Sequence, residues 1–344
     1  MGDAGARSPS GPGTAGALRA LGWDERWNES LRALRLPDAR PARIVRVDRG
    51  ECDVVTEGGR ERVISDSTRS QGATAPVTGD WIAVVDDGAG AAARIAAVLP
   101  RRHTLARRDP GERVVEQVMV ANVDSIAIVH GLDRRLPPGR LERLLIMAWD
   151  SGAEPIIVLT KSDLDDLYDA RGIARALGGA TSVVDVSRVD ARGVFELRGR
   201  IPTGATAALV GESGAGKSNL LNLLVGEAVQ ATGRVRQRDA KGRHTTVARE
   251  IHVIPGGGAV IDTPGIRAVG LLASDETLHR VFADIDELAR ECRFANCGHD
   301  SEPQCAVQQA VADGRLDQRR LLRYRALVAE IAQQPSSRPK RTRR

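Results

Sequence analysis

A chain of 344 residues is longer than one compact domain usually runs, and 42% hydrophobic with 28% charged residues gives it material for several buried cores. No stretch approaches the roughly 18 uninterrupted apolar residues of a membrane span, and the Gly/Ala/Ser/Pro-rich start, 1–17, lacks the apolar core of a signal peptide, so neither membrane insertion nor secretion is expected. A net charge of +5 permits a polyanionic partner without demanding one, and four cysteines, three of them between Cys292 and Cys305, suit a reducing, cytoplasmic setting better than a disulfide framework.

Residues 1–40 read as a disordered-to-helical extension, with one short amphipathic helix over 17–36 carrying Leu18, Leu21, Trp27, Leu31 and Leu34. Residues 41–104 change to short β-branched runs (42–47, 52–56, 62–64, 81–85, 93–98) separated by Gly/Asp turns, the pattern of a small all-β barrel. A basic connector follows: Arg101, Arg102, His103, Arg107, Arg108 and Arg113. Residues 105–272 alternate buried apolar runs (125–129, 155–159, 182–186, 207–210) with helical segments such as 139–149, the signature of a parallel sheet, and a Gly-rich hairpin spans 251–261. Residues 273–334 are mainly helical. Leu278, Val281, Phe282, Ile285 and Leu288 share one face over 277–291, and Leu321, Tyr324, Val328 and Ile331 share one over 318–333; both read as core stripes. The basic tail, 335–344, reads as disordered.

Only four of the 50 basic side chains are lysines, a skew that suits a GC-rich genome and makes each lysine worth locating. Lys217 closes Gly211-Glu212-Ser213-Gly214-Ala215-Gly216-Lys217-Ser218, a full phosphate-loop pattern between the apolar run 207–210 and a helical pattern opening at Asn219. Glycines let successive backbone N–H groups turn inward around phosphate oxygens, and the helix N-terminus adds its dipole. Lys217 then reaches the β- and γ-phosphates, and the Ser218 hydroxyl ligates Mg²⁺.

Lys161 lies in Thr160-Lys161-Ser162-Asp163, which ends the run 155–159 and reads as a guanine-recognition motif. Asp163 can accept from two guanine N–H groups that adenine does not present, and leaving that carboxylate unpaired penalises adenine. Thr160 replaces the commoner Asn, which puts the amide bond back to the phosphate loop in doubt. Ser187, after the run 182–186, stands where such proteins place backbone N–H groups for the guanine carbonyl, with Arg188 where alanine is usual. Asp262-Thr263-Pro264-Gly265 supplies a carboxylate for Mg²⁺ through water and a Gly265 N–H to sense the γ-phosphate. Upstream, Gly242-Arg243-His244-Thr245-Thr246 sits in a polar, Arg-rich loop of switch character, where Thr245 or Thr246 completes the Mg²⁺ shell.

Cys292, Cys297, His299 and Cys305 place three thiolates and an imidazole in fourteen residues, which suits a closed, structural Zn²⁺ site. Cys52, in a strand pattern, reads as an inert core residue. Trp81 is the sole aromatic between 42 and 100, so base stacking on the barrel is poorly supported; Arg101–Arg113, Arg234, Arg236, Arg238, Lys241, Arg243 and the tail suit phosphate contacts better.

The guanine motif precedes the phosphate loop, the reverse of the ordinary GTPase order, which reads as a circular permutation. On that order, on Gly242–Thr246, on Pro255-Gly256-Gly257-Gly258, on Ile261-Asp262-Thr263-Pro264-Gly265-Ile266-Arg267 and on the cysteine cluster, the chain resembles the ribosome small-subunit-dependent GTPase A (RsgA/YjeQ) family from about residue 40 to 330. The resemblance implies an OB-fold β-barrel, a circularly permuted P-loop α/β GTPase domain and a mainly helical C-terminal zinc-binding domain. It also implies GTP/GDP, Mg²⁺ and one structural Zn²⁺ as ligands, and the small (30S) ribosomal subunit and its rRNA as partner. Ile266 stands where a Gln commonly orients the attacking water, so intrinsic hydrolysis is expected to be slow. The resemblance implicates His244 as the substitute, the alternative being that it only contacts phosphate or RNA. The expected activity is GTP hydrolysis coupled to late subunit maturation and release, with a monomer as the default state. The competing function is an RNA-binding assembly factor for which GTP is a conformational ligand with incidental turnover.

Overall fold

The structure, a computed structural model, describes residues 16–65, 74–86, 88, 92–108, 116–190, 192–226, 249–263 and 274–332. Arg113, the loop holding Arg234 to Thr246, Gly265, Ile266 and the basic tail lie outside the described residues.

The expected single N-terminal helix is two: α1 (Ala17–Ala20) and α2 (Glu25–Ala33). The break lies at Gly22, whose φ of +97° disfavours any side chain, and Asp24 restarts the helix by accepting from the Trp27 N–H at 3.1 Å. Strands β1 (Arg40–Val47), β2 (Glu51–Thr56), β3 (Gly59–Ile64), β4 (Trp81–Val85) and β5 (Arg94–Val98) close into a barrel in the order β1-β2-β3-β5-β4. Alternate residues fill it, Ile44, Cys52, Val54, Val63, Ile82 and Val84 among them. Burial pushes the Cys52 thiol up to about 11, in keeping with an inert core residue. Trp81 is buried outside that barrel core, with its ring centroid 4.9 Å from Trp23 and 6.0 Å from Trp27.

The basic connector is a ribbon, β6 (Thr104–Arg108) paired antiparallel with β7 (Glu116–Ala121). Two of its approaching arginines are engaged by carboxylates, Arg101 half-buried and Arg102 at the surface. Arg101 forks onto the wholly buried Asp80 with two 2.7 Å bonds, and Arg102 pairs with Asp24 while lying 4.1 Å over the Trp27 ring. These contacts tie Arg101 to the barrel and Arg102 to α2.

The central sheet follows. Strand β8 (Ser125–Gly131) leads to α3 (Pro138–Asp150), β9 (Glu154–Thr160) to α4 (Ala170–Gly178), β10 (Ser182–Val186) to α5 (Val194–Gly199), and β11 (Thr206–Val210) to α6 (Lys217–Val225). Then come β12 (Ile251–Val253) and β13 (Ala259–Asp262), joined by the expected Gly-rich hairpin. The order is β10-β9-β8-β11-β13-β12, parallel except for β12. Apolar side chains leave both faces, as a doubly covered sheet requires. Ile126, Ile128, Ile157 and Leu159 pack with α3 and α4, whereas Ala127, Val129, Ile156 and Val158 pack with α5 and α6.

The helix expected over 277–291 is also split, into α7 (Asp275–Val281) and α8 (Ala283–Ala289), at Phe282 (φ −116°, ψ 40°). Its buried ring lies 5.3 Å from Tyr324 and under the Arg320 guanidinium. Helices α9 (Ala306–Ala312) and α10 (Gln318–Ala332) complete the region. On α10 it is Leu327 that is buried, while Val328 is 38% exposed, so the inward stripe runs Leu321, Tyr324, Leu327, Ile331. Glu142 of α3, wholly buried, accepts from Arg320 and Arg323 at 2.8 Å and seats α10 on the central domain.

Candidate nucleotide and metal sites

The phosphate loop, the guanine motif, Ser187 and Asp262 each lie at the carboxyl end of a strand of this one sheet. That is where open α/β sheets leave a crevice, because the helices fall away to both faces. The phosphate loop leaves β11 at Gly211, whose φ is +150° and where a Cβ would collide with the Val129 carbonyl, so only glycine lets the chain turn there. Ala215 is fully buried beneath the loop; Glu212, on the rim, pairs with Arg140 of α3. Lys217 curls back over the loop, donating to the carbonyls of Gly211 (2.8 Å) and Glu212 (2.7 Å). Burial holds its ammonium pKa below the ordinary lysine value, offset only in part by the nearby Asp262 carboxylate. Ser218 and Asn219 lie half-buried in the first turn of α6, and Asp262 is buried at the end of β13. A hydroxyl and a carboxylate are the oxygen donors a hard divalent cation takes, so Ser218 and Asp262 fit Mg²⁺.

The four residues after β9 meet this loop from the side. Thr160 is buried and donates its hydroxyl to the Ala215 carbonyl at 2.6 Å, so the bond back to the phosphate loop that the missing Asn left in doubt is made by a threonine. Gly216 makes room for it: a Cβ there would stand 2.8 Å from the Thr160 hydroxyl. Lys161, at φ +58°, lies across the loop with its ammonium 3.2 Å from the Gly214 carbonyl. Ser162 is buried, its N–H bonded to the Val186 carbonyl at 3.2 Å. Asp163 stands exposed at the mouth, accepting from the Ser187 hydroxyl at 3.0 Å. The Ser187 N–H, expected to face a guanine carbonyl, instead donates to the Arg192 carbonyl at 3.1 Å; its hydroxyl is the group turned to the site. Arg188 is exposed beside it.

Two residues at this edge carry no motif and went unread in the sequence. Asp133 and Arg134 follow β8 and reach both neighbours: Asp133 accepts from Lys161 at 2.5 Å, and Arg134 donates to the Ser213 and Gly214 carbonyls at 3.1 and 3.2 Å. Their one sequence signal is position, a charged pair two residues past a buried apolar strand. His244, Thr245, Thr246 and Gly265 lie outside the described residues. The chain re-enters at Arg249 and Glu250 against the barrel, where Thr78 donates to the Arg249 carbonyl at 3.1 Å and Arg60 pairs with Glu250 at 2.6 Å.

The second constellation sits between α8 and α9. Ligand atoms of Cys292, Cys297, His299 and Cys305 all lie within 4.8 Å of one another. The Cys292 and Cys305 sulfurs are 3.8 Å apart, and His299 Nδ1 is 3.7 and 3.5 Å from them. Zinc–sulfur bonds of about 2.3 Å in a tetrahedron give sulfur–sulfur edges of about 3.8 Å, so the four residues fit one shared Zn²⁺. The loop carries left-handed backbone at His299 (φ +55°) and at Gln304 (φ +59°), the residue before Cys305.

A family model described as RsgA GTPase matches residues 98–272. The small ribosomal subunit biogenesis GTPase RsgA of Streptomyces coelicolor is 42% identical over 320 residues, 91% of this chain and 86% of that protein. The protein of the same name from Opitutus terrae is 39% identical, covering 92% of this chain and 90% of its own. Among solved structures, YjeQ from Thermotoga maritima superposes with a TM-score of 0.60 at 25% identity, over 86% of this chain and all of that one. YloQ, described as a circularly permuted GTPase, gives 0.57 at 22% identity over 86% of this chain and 96% of its own, a likeness of fold. A closed barrel, a permuted sheet with a complete phosphate loop and a Cys/His cluster thus coincide with a match along nearly the whole chain, and the chain belongs to the RsgA GTPase family.

Proposed function

We propose that this protein is a cytoplasmic, monomeric GTPase that binds the small ribosomal subunit and couples GTP hydrolysis to late subunit maturation and to its own release. The observation that carries the reading is the convergence on one sheet edge of the phosphate loop, Asp163 braced by Ser187, and Asp262 close to Lys217. In this reading Asp163 and Lys161 select guanine, and the inward N–H groups of residues 211–219 with Lys217 hold the phosphates. Ser218, Asp262 and one of Thr245 and Thr246 hold Mg²⁺, which when bound neutralises charge on the β- and γ-phosphates. His244 positions the attacking water in place of the glutamine that Ile266 replaces, and Gly265 senses the γ-phosphate. Catalysis then needs no covalent intermediate, since positioned donors stabilise the phosphoryl group in transfer. The Cys292–Cys297–His299–Cys305 cluster holds a structural Zn²⁺, and arginine contacts to rRNA phosphates hold the subunit.

Co-sedimentation with purified small or large subunits tests the partner. Retention on the small subunit with a non-hydrolysable GTP analogue, and release with GDP, is the expected result; equal binding to both subunits contradicts it. A His244→Ala protein is expected to bind nucleotide normally and fail in subunit-stimulated turnover. If it still supports subunit maturation, GTP is a conformational ligand and turnover is incidental.

A further inference from the structure

Strand β8 lies between β9 and β11, so the loop leaving it stands between the guanine motif and the phosphate loop. That loop is anchored from below, where buried His130 donates from Nε2 to the Arg134 carbonyl at 3.1 Å. Asp133 bridges the two cations above it, Lys161 at 2.5 Å and Arg134 at 3.2 Å. Burial alone would raise the Asp133 pKa, but the bonds and charges of Arg134 and Lys161 outweigh it and hold the carboxyl at about 2. Gly131 permits the approach: a Cβ there would come within 2.6 Å of the Asp133 carboxylate.

We propose that Arg134, oriented by Asp133, is a positioning residue for the nucleotide phosphates. The Ser213 carbonyl shares its peptide unit with the Gly214 N–H, and the Gly214 carbonyl with the Ala215 N–H. A guanidinium donating to those carbonyls holds the two peptide planes: it polarises the Gly214 N–H toward an anion and strengthens the turn in which the Ala215 N–H donates to the Glu212 carbonyl at 3.3 Å, since hydrogen bonds in a chain strengthen one another. Gly214 fits the same purpose, because a Cβ there would press to 3.2 Å from the Arg134 guanidinium. Lys161 adds a second cation on the Gly214 carbonyl at 3.2 Å. The loop is therefore braced on its outer side before any phosphate arrives, which cuts the ordering cost of binding.

The proposal rests on the nucleotide site described above, and the test separates the two. Dissociation constants for GDP and ADP are measured on the parent chain, Arg134→Ala and Arg134→Lys, with kcat and KM for GTP and melting curves without nucleotide. Arg134→Ala is expected to weaken GDP and raise the KM for GTP together by about 3- to 10-fold, with kcat within about twofold, because two charge-assisted bonds are lost at a partly exposed site. Its nucleotide-free melting curve is expected to overlay the parent's, and Arg134→Lys is expected to recover part of the affinity. In an Asp133→Asn background the same Arg134→Ala change is expected to matter less, since the two act as one unit. Unchanged affinity in Arg134→Ala, or a loss that follows a lowered melting temperature and is not relieved by lysine, overturns the proposal. A parent chain that binds ADP as well as GDP overturns the guanine reading instead, while the parent-to-variant ratio on either nucleotide still decides the role of Arg134.

Discussion

The nucleotide edge draws Asp133, Lys161, Asp163, Ser187, Lys217 and Asp262 from five strand ends spread over most of the central domain, whereas the Cys/His cluster takes all four of its ligands from fourteen residues between two seven-residue helices. The first is held in place by parallel ladders and two packed faces, so its backbone is set by the fold. The second has little backbone structure of its own between Cys292 and Cys305, and its separations are those of atoms sharing one ion. The difference is one of cause: the fold makes the nucleotide site, while in the proposed reading a shared metal ion would complete the fold around its own site.

The largest effect should come from removing the ion. Chelation, or Cys305→Ser, is expected to take bound zinc from about one per chain to none and to melt helical signal and protease resistance over 274–332, because structural zinc contributes on the order of 10 kcal/mol to such loops. GDP binding at the sheet edge should persist; its simultaneous loss would mean the two regions are not independently built. Next in size is Asp163→Asn, which removes the proposed acceptor for the guanine N–H groups. GTP affinity should fall by about 100-fold or more and xanthosine nucleotides should gain, as read by competition binding. Thr160→Val deletes the hydroxyl that donates to the Ala215 carbonyl. The cost should be about 1 kcal/mol, roughly fivefold in GDP affinity, since one buried carbonyl loses its partner.

The smallest effect concerns pH. Asp133 ionises at about 2 rather than the ordinary 3.8, so the contribution of its charge is complete above about 4 and fades as pH falls through 2. The ratio of GDP affinities between parent and Asp133→Asn should therefore stay flat from about pH 8 to pH 5. A ratio that drifts across that range would place the relevant titration on another group.

Much of both regions was legible because their signals are local. Buried parallel strands read as apolar runs, and the phosphate loop, guanine motif and cysteine spacing each fit within a few residues of chain. What escaped depends on partners far off in sequence. The carboxylate partners of Arg101 and Arg102, Asp80 and Asp24, lie 21 and 78 residues away in sequence. Asp133 and Arg134 gain their meaning from strand order, because only β8 between β9 and β11 puts their loop over both motifs. The helix expected over 17–36 breaks at Gly22, and the stripe on α10 turns to Leu327, both set by packing that helical periodicity does not encode. Thr160 shows the converse: a departure from the usual residue keeps the contact through a different donor.

The most direct measurement is steady-state hydrolysis of GTP and of ATP, each alone and with purified small or large ribosomal subunits. Slow, GTP-selective turnover raised strongly by the small subunit alone is the predicted result. Equal use of ATP, or stimulation by the large subunit instead, would contradict it.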